Sequence, residues 1–311
     1  MHAHPLTQRS AAALASAIRA GQVSSREVVE AHIEMCKDRQ PRTGAIAVDR
    51  FEAALAEADA ADARIAAAGG GELPPLLGVP CTIKESFAVR GMPNCAGLLA
   101  RREHRAGATA PTVQRLLDAG AIPLGLTNVS ELTLWIESEN RVYGRTNNPY
   151  DPSRAAGGSS GGEGAAVGSG ASPFGLGSDI AGSIRIPAFF CGVFGHKPSN
   201  GLVPHTGSYP VPHGEAKRLL SFGPLARCSE DLMPVLRILS GPDGADPLVT
   251  AEPELGDPIA ELFRLVGDDH SQQSKNNREY QFSVAVHARA CTARTFDGLE
   301  FSDAVSRAKR L

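Results

Sequence analysis

The stretch Gly157-Gly-Ser159-Ser160-Gly-Gly-Glu163-Gly164, followed by Gly177-Ser-Asp179-Ile-Ala-Gly-Ser183-Ile-Arg-Ile-Pro187, decides how this chain reads. Residues 157 to 187 hold ten Gly and six Ser, a composition shared with flexible linkers. A linker lacks apolar anchors, yet Val167, Phe174, Leu176, Ile180, Ile184 and Ile186 recur here at core-like intervals. The segment is therefore read as packed, with glycines that let backbones approach something closely. Three chemistries compete for it. A phosphate cradle has the GxxxxG spacing from Gly157 to Gly162, but Glu163 stands where a P-loop carries Lys, and a carboxylate repels phosphate. No GxGxxG follows a strand either. A nucleophile elbow, GxSxG, is met twice, centred on Ser159 and on Ser160, but it needs a strand immediately before it. The preceding residues are turn formers instead, Asn147-Asn148-Pro149 and Asp151-Pro152. His196, His205 and His213 downstream read more readily as structural or solvated than as an elbow's base. The third reading is a relay that joins Lys84, the Ser159/Ser160 pair and Ser183. A neutral lysine takes a proton from the attacking serine through a bridging serine, and the relay then protonates the leaving group. The small residues around Ile180-Ala181-Gly182-Ser183 leave room for several backbone N–H groups to converge on an oxyanion.

Outward from this segment, helical and strand patterns alternate. Ser24 with Glu27 makes a capping box ahead of Val28, Val29, His32, Ile33 and Cys36. Residues 51 to 68 form an Ala-rich surface helix that stops at Gly69-Gly70-Gly71, and the first seventy residues as a whole read as helices. Residues 76 to 83 read as a short buried strand or strand pair running into Lys84. Thr109 and Pro111 open a helix with Val113, Leu116 and Leu117 on one face and Gly120 as its stop, and Ala121 to Leu126 is a buried strand. The alternation predicts an α/β layer architecture. From Gly256 the chain turns polar, with Ser271 to Arg278 and then a basic end, which reads as a solvated tail or a weakly packed helix. The expected division is a helical segment 1–70, a core 71–255 and a tail 256–311.

Composition narrows the class. The 31 Lys+Arg against 34 Asp+Glu give a net charge of −3, which excludes a globally basic nucleic-acid binder. The chain is 42% hydrophobic and 21% charged, so a folded core is expected. No run approaches the ~18 apolar residues that a membrane-spanning helix needs. The start, Met1-His2-Ala3-His4-Pro5, does not read as a secretory signal. Six scattered cysteines without a CxxC pair suggest reduced thiols and a cytoplasmic setting. No HExxH occurs and the His residues form no compact cluster, so neither a metal nor another cofactor is expected.

These motifs, with Cys191-Gly-Val-Phe-Gly-His-Lys-Pro-Ser199 and Gly78-Val-Pro-Cys-Thr-Ile-Lys84-Glu85, resemble the amidase signature family. The separations match its pattern: 75 residues from Lys84 to Ser159 and 24 from Ser159 to Ser183. Gly91-Met-Pro-Asn94, Asn147-Asn-Pro-Tyr150 and Phe189-Phe190 bring the chain nearest to fatty acid amide hydrolases, the second vertebrate type and its bacterial relatives. The resemblance covers about residues 5 to 250. It implies an α/β fold with a central mixed β-sheet covered by helices on both faces. It also implies Ser183 as acyl nucleophile, Ser159 as a bridging serine held by a cis peptide bond, and Lys84 as base. The N–H groups of Ile180, Ala181, Gly182 and Ser183 would form the oxyanion hole. Ala181 stands where the family usually has Gly; its methyl is tolerable at negative φ and costly otherwise. Ser160 is expected either to assist by hydrogen bonding or to cap a helix start, and Asp179 and Arg185 to pair and stiffen the loop. The implied reaction turns a linear carboxamide, a fatty acid amide among the candidates, into carboxylate and ammonia or amine through an acyl-enzyme. The expected partner is this small-molecule amide, with no nucleic acid and no transmembrane segment; a homodimer stays open. The membrane-docking hydrophobic cap of mammalian relatives has no recognisable counterpart.

The relay sets a demand on the fold. At a reference pKa of about 10.4, roughly one lysine in 2,500 is neutral at pH 7, and lowering the pKa to about 7–8 costs on the order of 4 kcal/mol. Lys84 must therefore be buried, with hydrogen-bonding partners and no adjacent counter-charge; extended geometry points Glu85 to the opposite side. The family's chains run longer, and Gly256 to Leu311 does not resemble the expected continuation. The core is expected to be incomplete at the C-terminus, with exposed apolar edges. The alternative function is a truncated, non-catalytic amidase-like protein.

Overall fold

Ser24 and Glu27 form the reciprocal cap that their spacing predicts: the Glu27 carboxylate accepts from Ser24 N at 2.8 Å and Ser24 Oγ accepts from Glu27 N at 3.1 Å. The computed structural model describes residues 4–250, so the tail 256–311 lies outside the described residues. The elements are α1 (Ala11–Arg19), α2 (Ser25–Thr43), β1 (Ile46–Asp49), α3 (Phe51–Ala67), β2 (Pro80–Lys84), α4 (Pro111–Asp118) and β3 (Ile122–Thr127). A small hairpin of β4 (Glu139–Asn140) and β5 (Gly144–Arg145) follows, then α5 (Gly161–Gly168), β6 (Phe174–Asp179) and α6 (Arg185–Phe190). The rest is β7 (Phe194–Gly195), α7 (Glu215–Leu219), β8 (Ser221–Ala226) and α8 (Leu232–Leu239).

One six-stranded mixed sheet runs β1-β3-β2-β6-β8-β7, with β3, β2 and β6 parallel and the outer pairings antiparallel. On one face Cys81, Ile83, Phe174, Leu176 and Phe222 pack with Leu14 and Ile18 of α1, Val113 and Leu116 of α4, and Leu236 and Leu239 of α8. On the other, Ile122 and Leu124 meet Val29 and Ile33 of α2, Ala54 and Ala58 of α3, and Ala165 and Ala166 of α5. The mixed sheet with helices on both faces is thus the architecture observed. Correcting the all-helical reading of the first seventy residues, β1 is a strand on the sheet edge, paired with β3. Four residues are too few to display a strand period between two long helices.

Two local features position the site. Cys81 and Ile83 of β2 face α1 and α4, so the alternate residues Thr82 and Lys84 face α5. In β3 the register slips between Pro123, opposite Cys81, and Leu126, opposite Ile83. This bulge reverses the alternation and brings Thr127 to the side of Lys84, its partner in register. Helix α5 is buried from Gly161 to Val167. A Cβ at Gly162 would lie 2.5 Å from Asn128 O and 2.8 Å from Ala45 O, so only glycine lets the helix come this close.

The N-terminus of α1 is capped from across the sequence: Asp231 accepts from Ala11 N at 2.8 Å and Ala12 N at 2.9 Å, and is itself buried. Asp231→Ala is expected to lower stability by about 1–3 kcal/mol, read by urea denaturation, because it leaves two helix N–H groups without their acceptor. An unchanged midpoint would show that water replaces the carboxylate at no cost.

Candidate active site

Lys84, at the C-terminal end of β2, is completely buried. Its Nζ lies 2.7 Å from Ser159 Oγ, 2.9 Å from Ser178 Oγ and 3.5 Å from Ser178 O. Ser159 sits in the turn that leads into α5, also buried, and the Gly158–Ser159 peptide bond is cis. Burial pushes the Lys84 pKa down to about 7, against the attraction of Asp179 and Glu163. About half the amines are then neutral near pH 7. No carboxylate among the described residues lies within ion-pair distance of the amine, and Asp179 and Glu163 attract it only from farther off. Burial pushes Glu163 up to about 8, despite hydrogen bonds from Thr82 and Thr127 and the nearby Lys84. Asp179 is engaged elsewhere: Arg185 Nε and Nη2 each donate to it at 3.0 Å. Glu85 is turned away from the amine and accepts from Cys95 N (2.8 Å), Ala96 N (2.7 Å) and Tyr143 Oη (2.9 Å).

Asp179 organises the loop that carries Ser183. Its carboxylate accepts from Gly182 N at 2.7 Å, Ile184 N at 3.0 Å and Arg185 N at 3.3 Å. Burial alone would raise its pKa, but the Arg185 pairing and these N–H groups outweigh it and hold the carboxylate below its ordinary range. The fourfold oxyanion hole is corrected by this bond: Gly182 N–H is committed to Asp179, and Ile180, Ala181 and Ser183 keep N–H groups with no acceptor among the described residues. Gly182 has φ 117°, whereas Ala181 is not among the residues with positive φ, so its methyl meets no backbone strain.

Ser183 is half-buried, and its carbonyl accepts from Ser160 N at 3.2 Å. Its hydroxyl makes no hydrogen bond among the described residues; Lys84 and Ser159 are joined directly, whereas the bond of Ser183 goes to Ser160, the next residue along. Ser160 occupies the N-cap position of α5 without a side-chain cap bond. Its hydroxyl instead lies 3.3 Å from Ser178 O and 3.4 Å from Ser178 N. Sequence reasoning missed Ser178 and the partnership of Glu163 with this site. Ser178 adjoins Asp179 in the quoted motif, but only the strand ends bring its hydroxyl to Lys84.

Beside Ser178 and Ile180 opens a cavity of about 370 Å³ walled by Leu132, Tyr209, Leu220 and Phe222. Leu132 (φ 53°) and Thr133 (φ 59°) on its rim hold the left-handed conformation that costs about 1–3 kcal/mol each and gathers at functional sites. Ala96 O accepts from Leu132 N at 2.8 Å and steadies that turn. Two larger depressions, each about 670 Å³, adjoin Arg90 and Lys37 away from the serines, so side-chain chemistry rather than size selects the site. Leu134 (75% exposed), Trp135 (66%) and Val211 (60%) are exposed apolar side chains, and Leu134 and Val211 line this cavity.

A mixed sheet sandwiched by helices, with a buried lysine on a serine ahead of a glycine-rich helix, defines an α/β protein of the amidase kind. The family model described as Amidase matches residues 27–289, and the chain belongs to this family. The match extends past residue 250, where the motif resemblance ended. Fatty-acid amide hydrolase 2-A of Danio rerio is 53% identical over 245 residues, 77% of this chain and 46% of that protein. Fatty-acid amide hydrolase 2 of Homo sapiens is 48% identical over 243 residues, 76% of this chain and 46% of that protein. The crystal structure of native peptide amidase from Stenotrophomonas maltophilia superimposes with a TM-score of 0.74 at 32% identity, covering 81% of this chain and 52% of that one. The chain spans about half the length of the curated relatives it matches. Among the described residues no helix is long and apolar enough to cross a membrane.

Proposed function

We propose that this protein hydrolyses a linear carboxamide through a Ser183–Ser159–Lys84 relay. The observation that carries the reading is the buried Lys84 amine 2.7 Å from Ser159 Oγ. Neutral Lys84 accepts the Ser159 proton while Ser159 takes that of Ser183, and Ser183 Oγ attacks the amide carbon. The N–H groups of Ile180, Ala181 and Ser183 meet the developing oxyanion, each such donor being worth about 3–4 kcal/mol. The proton returns through Ser159 to the leaving nitrogen, and water repeats the sequence on the acyl-enzyme. Ser178 Oγ orients the amine, and the Asp179–Arg185 pair stiffens the nucleophile loop. The apolar walls of the 370 Å³ cavity suit an apolar acyl group, in keeping with the relatives named fatty-acid amide hydrolase 2. A cytoplasmic setting fits the five described cysteines, all free and four of them buried. The unbonded Ser183 hydroxyl favours a second reading, an amidase-like chain without catalysis.

Incubation with a fluorophosphonate, followed by peptide mass spectrometry, tests the assignment. The adduct is expected on Ser183, forming about 10²–10⁴-fold more slowly in Ser159→Ala. An adduct on Ser159 would replace the relay by the elbow. A cooperatively folded chain that takes no adduct would establish the non-catalytic reading.

A further inference from the structure

Against the root of Lys84 lies an acid for which the relay has no step. Glu163, in the first turn of α5, is completely buried. Thr82 Oγ1 lies 2.6 Å from its Oε2 and Thr127 Oγ1 lies 2.8 Å from its Oε1. Thr82 precedes Lys84 by two residues on the same face of β2, and Thr127 is the register partner of Lys84 on β3. The two hydroxyls therefore fix the carboxyl beside the lysine's attachment to the sheet. The surroundings leave room for this acid alone: a Cβ at Gly175 of β6 would collide with Glu163 Oε2.

We propose that Glu163 is a positioning residue for Lys84, its carboxyl clamped by Thr82 and Thr127 so that its own charge state governs that of the amine. The proposal rests on the relay reading. With the proton on the carboxyl, the amine is the neutral base; with the proton on the amine, both groups are charged and Lys84 is idle. The clamp serves both forms, because a threonine hydroxyl donates to a carboxylate and accepts from a carboxylic acid.

No other ionisable group around the pair takes over this part. Asp179 on β6 is held by Arg185 of α6. Cys36 of α2, Cys81 of β2 and Cys191 after α6 are buried thiols kept protonated by that burial. Asp49 of β1 is exposed, and β3 and β8 contain no ionisable side chain. With Lys84 lowered to about 7 and Glu163 raised to about 8, one proton per pair is the rule near neutrality.

Glu163→Gln keeps the shape and the threonine hydrogen bonds but cannot ionise. It abolishes the form with both groups charged, which in the natural chain withdraws a share of the amines. The rate of fluorophosphonate labelling at Ser183, followed against pH, is expected to show its acid limb about half a unit or more lower in Glu163→Gln. A merely structural role would change the rate without moving the limb. Thr127→Val, which removes one donor to the carboxylate, moves the limb the same way by less and serves if Glu163→Gln does not fold. An unmoved limb overturns the proposal, provided that Lys84→Met is inactive. If Lys84→Met labels with the natural rate and pH profile, the relay reading itself has failed.

Discussion

Ser183→Ala is expected to lower amide turnover by about 10⁴–10⁶-fold while leaving the fold untouched. The size follows from deleting the only group positioned to form the acyl bond in this scheme; residues that act as a catalytic unit lose nearly everything when one is removed. The second half of the expectation comes from the structure. The Ser183 hydroxyl is half-exposed and bonds to nothing among the described residues, so its removal leaves no buried polar group unpaired. Stability should stay within about 0.5 kcal/mol. Steady-state hydrolysis of a long-chain primary amide, with thermal denaturation of the same samples, checks both halves. Turnover that survives in Ser183→Ala would move the nucleophile elsewhere, and lost turnover with a collapsed transition would show only that the loop had unfolded.

Lys84→Met is expected to abolish the reaction and to stabilise the protein at low pH. Losing the base removes the proton acceptor, about 10²–10⁴-fold at the least. Its effect on stability depends on pH in a defined direction. Lys84 titrates near 7 in the folded protein against about 10.4 when unfolded, so between these values the unfolded chain binds a proton that the folded one lacks. Stability therefore rises across this window as the burial penalty is relieved, and below pH 7 the full penalty, on the order of 4 kcal/mol, stands. Glu163 carries the opposite sign. Raised to about 8 in the fold, it binds a proton that the unfolded chain lacks between about 4.3 and 8, and stability falls across that range. In Lys84→Met only the falling trend remains. The variant should exceed the natural protein by several kcal/mol at pH 6 and the gap should narrow towards pH 10, as read by urea denaturation at both values. A gap of the same size at both pH values would show that the amine does not titrate in the interior.

Local features of the fold were legible where the signal was local. The Ser24–Glu27 box and Pro111 at the start of α4 obey rules that act within one helical turn. Strand β1 escaped because Ile46–Asp49 is short and its evidence is its pairing with β3, almost eighty residues on. The bulge in β3 escaped for the same reason, since a register slip exists only relative to a partner strand. At the site, the family resemblance, more than spacing alone, pointed to Lys84, Ser159 and Ser183 as candidates, and the structure brings the first two into contact. The spacing said nothing of Asp179 taking Gly182 N–H, which removes one expected oxyanion donor.

Glu163 shows the same division most sharply. In sequence it counts only as the wrong residue for a P-loop, whereas in space it becomes the buried acid beside a buried base. The amino-acid sequence by itself determined the family, the helical caps and which three side chains are candidates for the chemistry, because motif and spacing are properties of the chain. Tertiary structure alone decided that the lysine is dry, which hydroxyls touch it and which carboxyl lies beside it. Desolvation is conferred by whatever packs around a group, and here that is a sheet and a glycine-rich helix drawn from segments far apart along the chain.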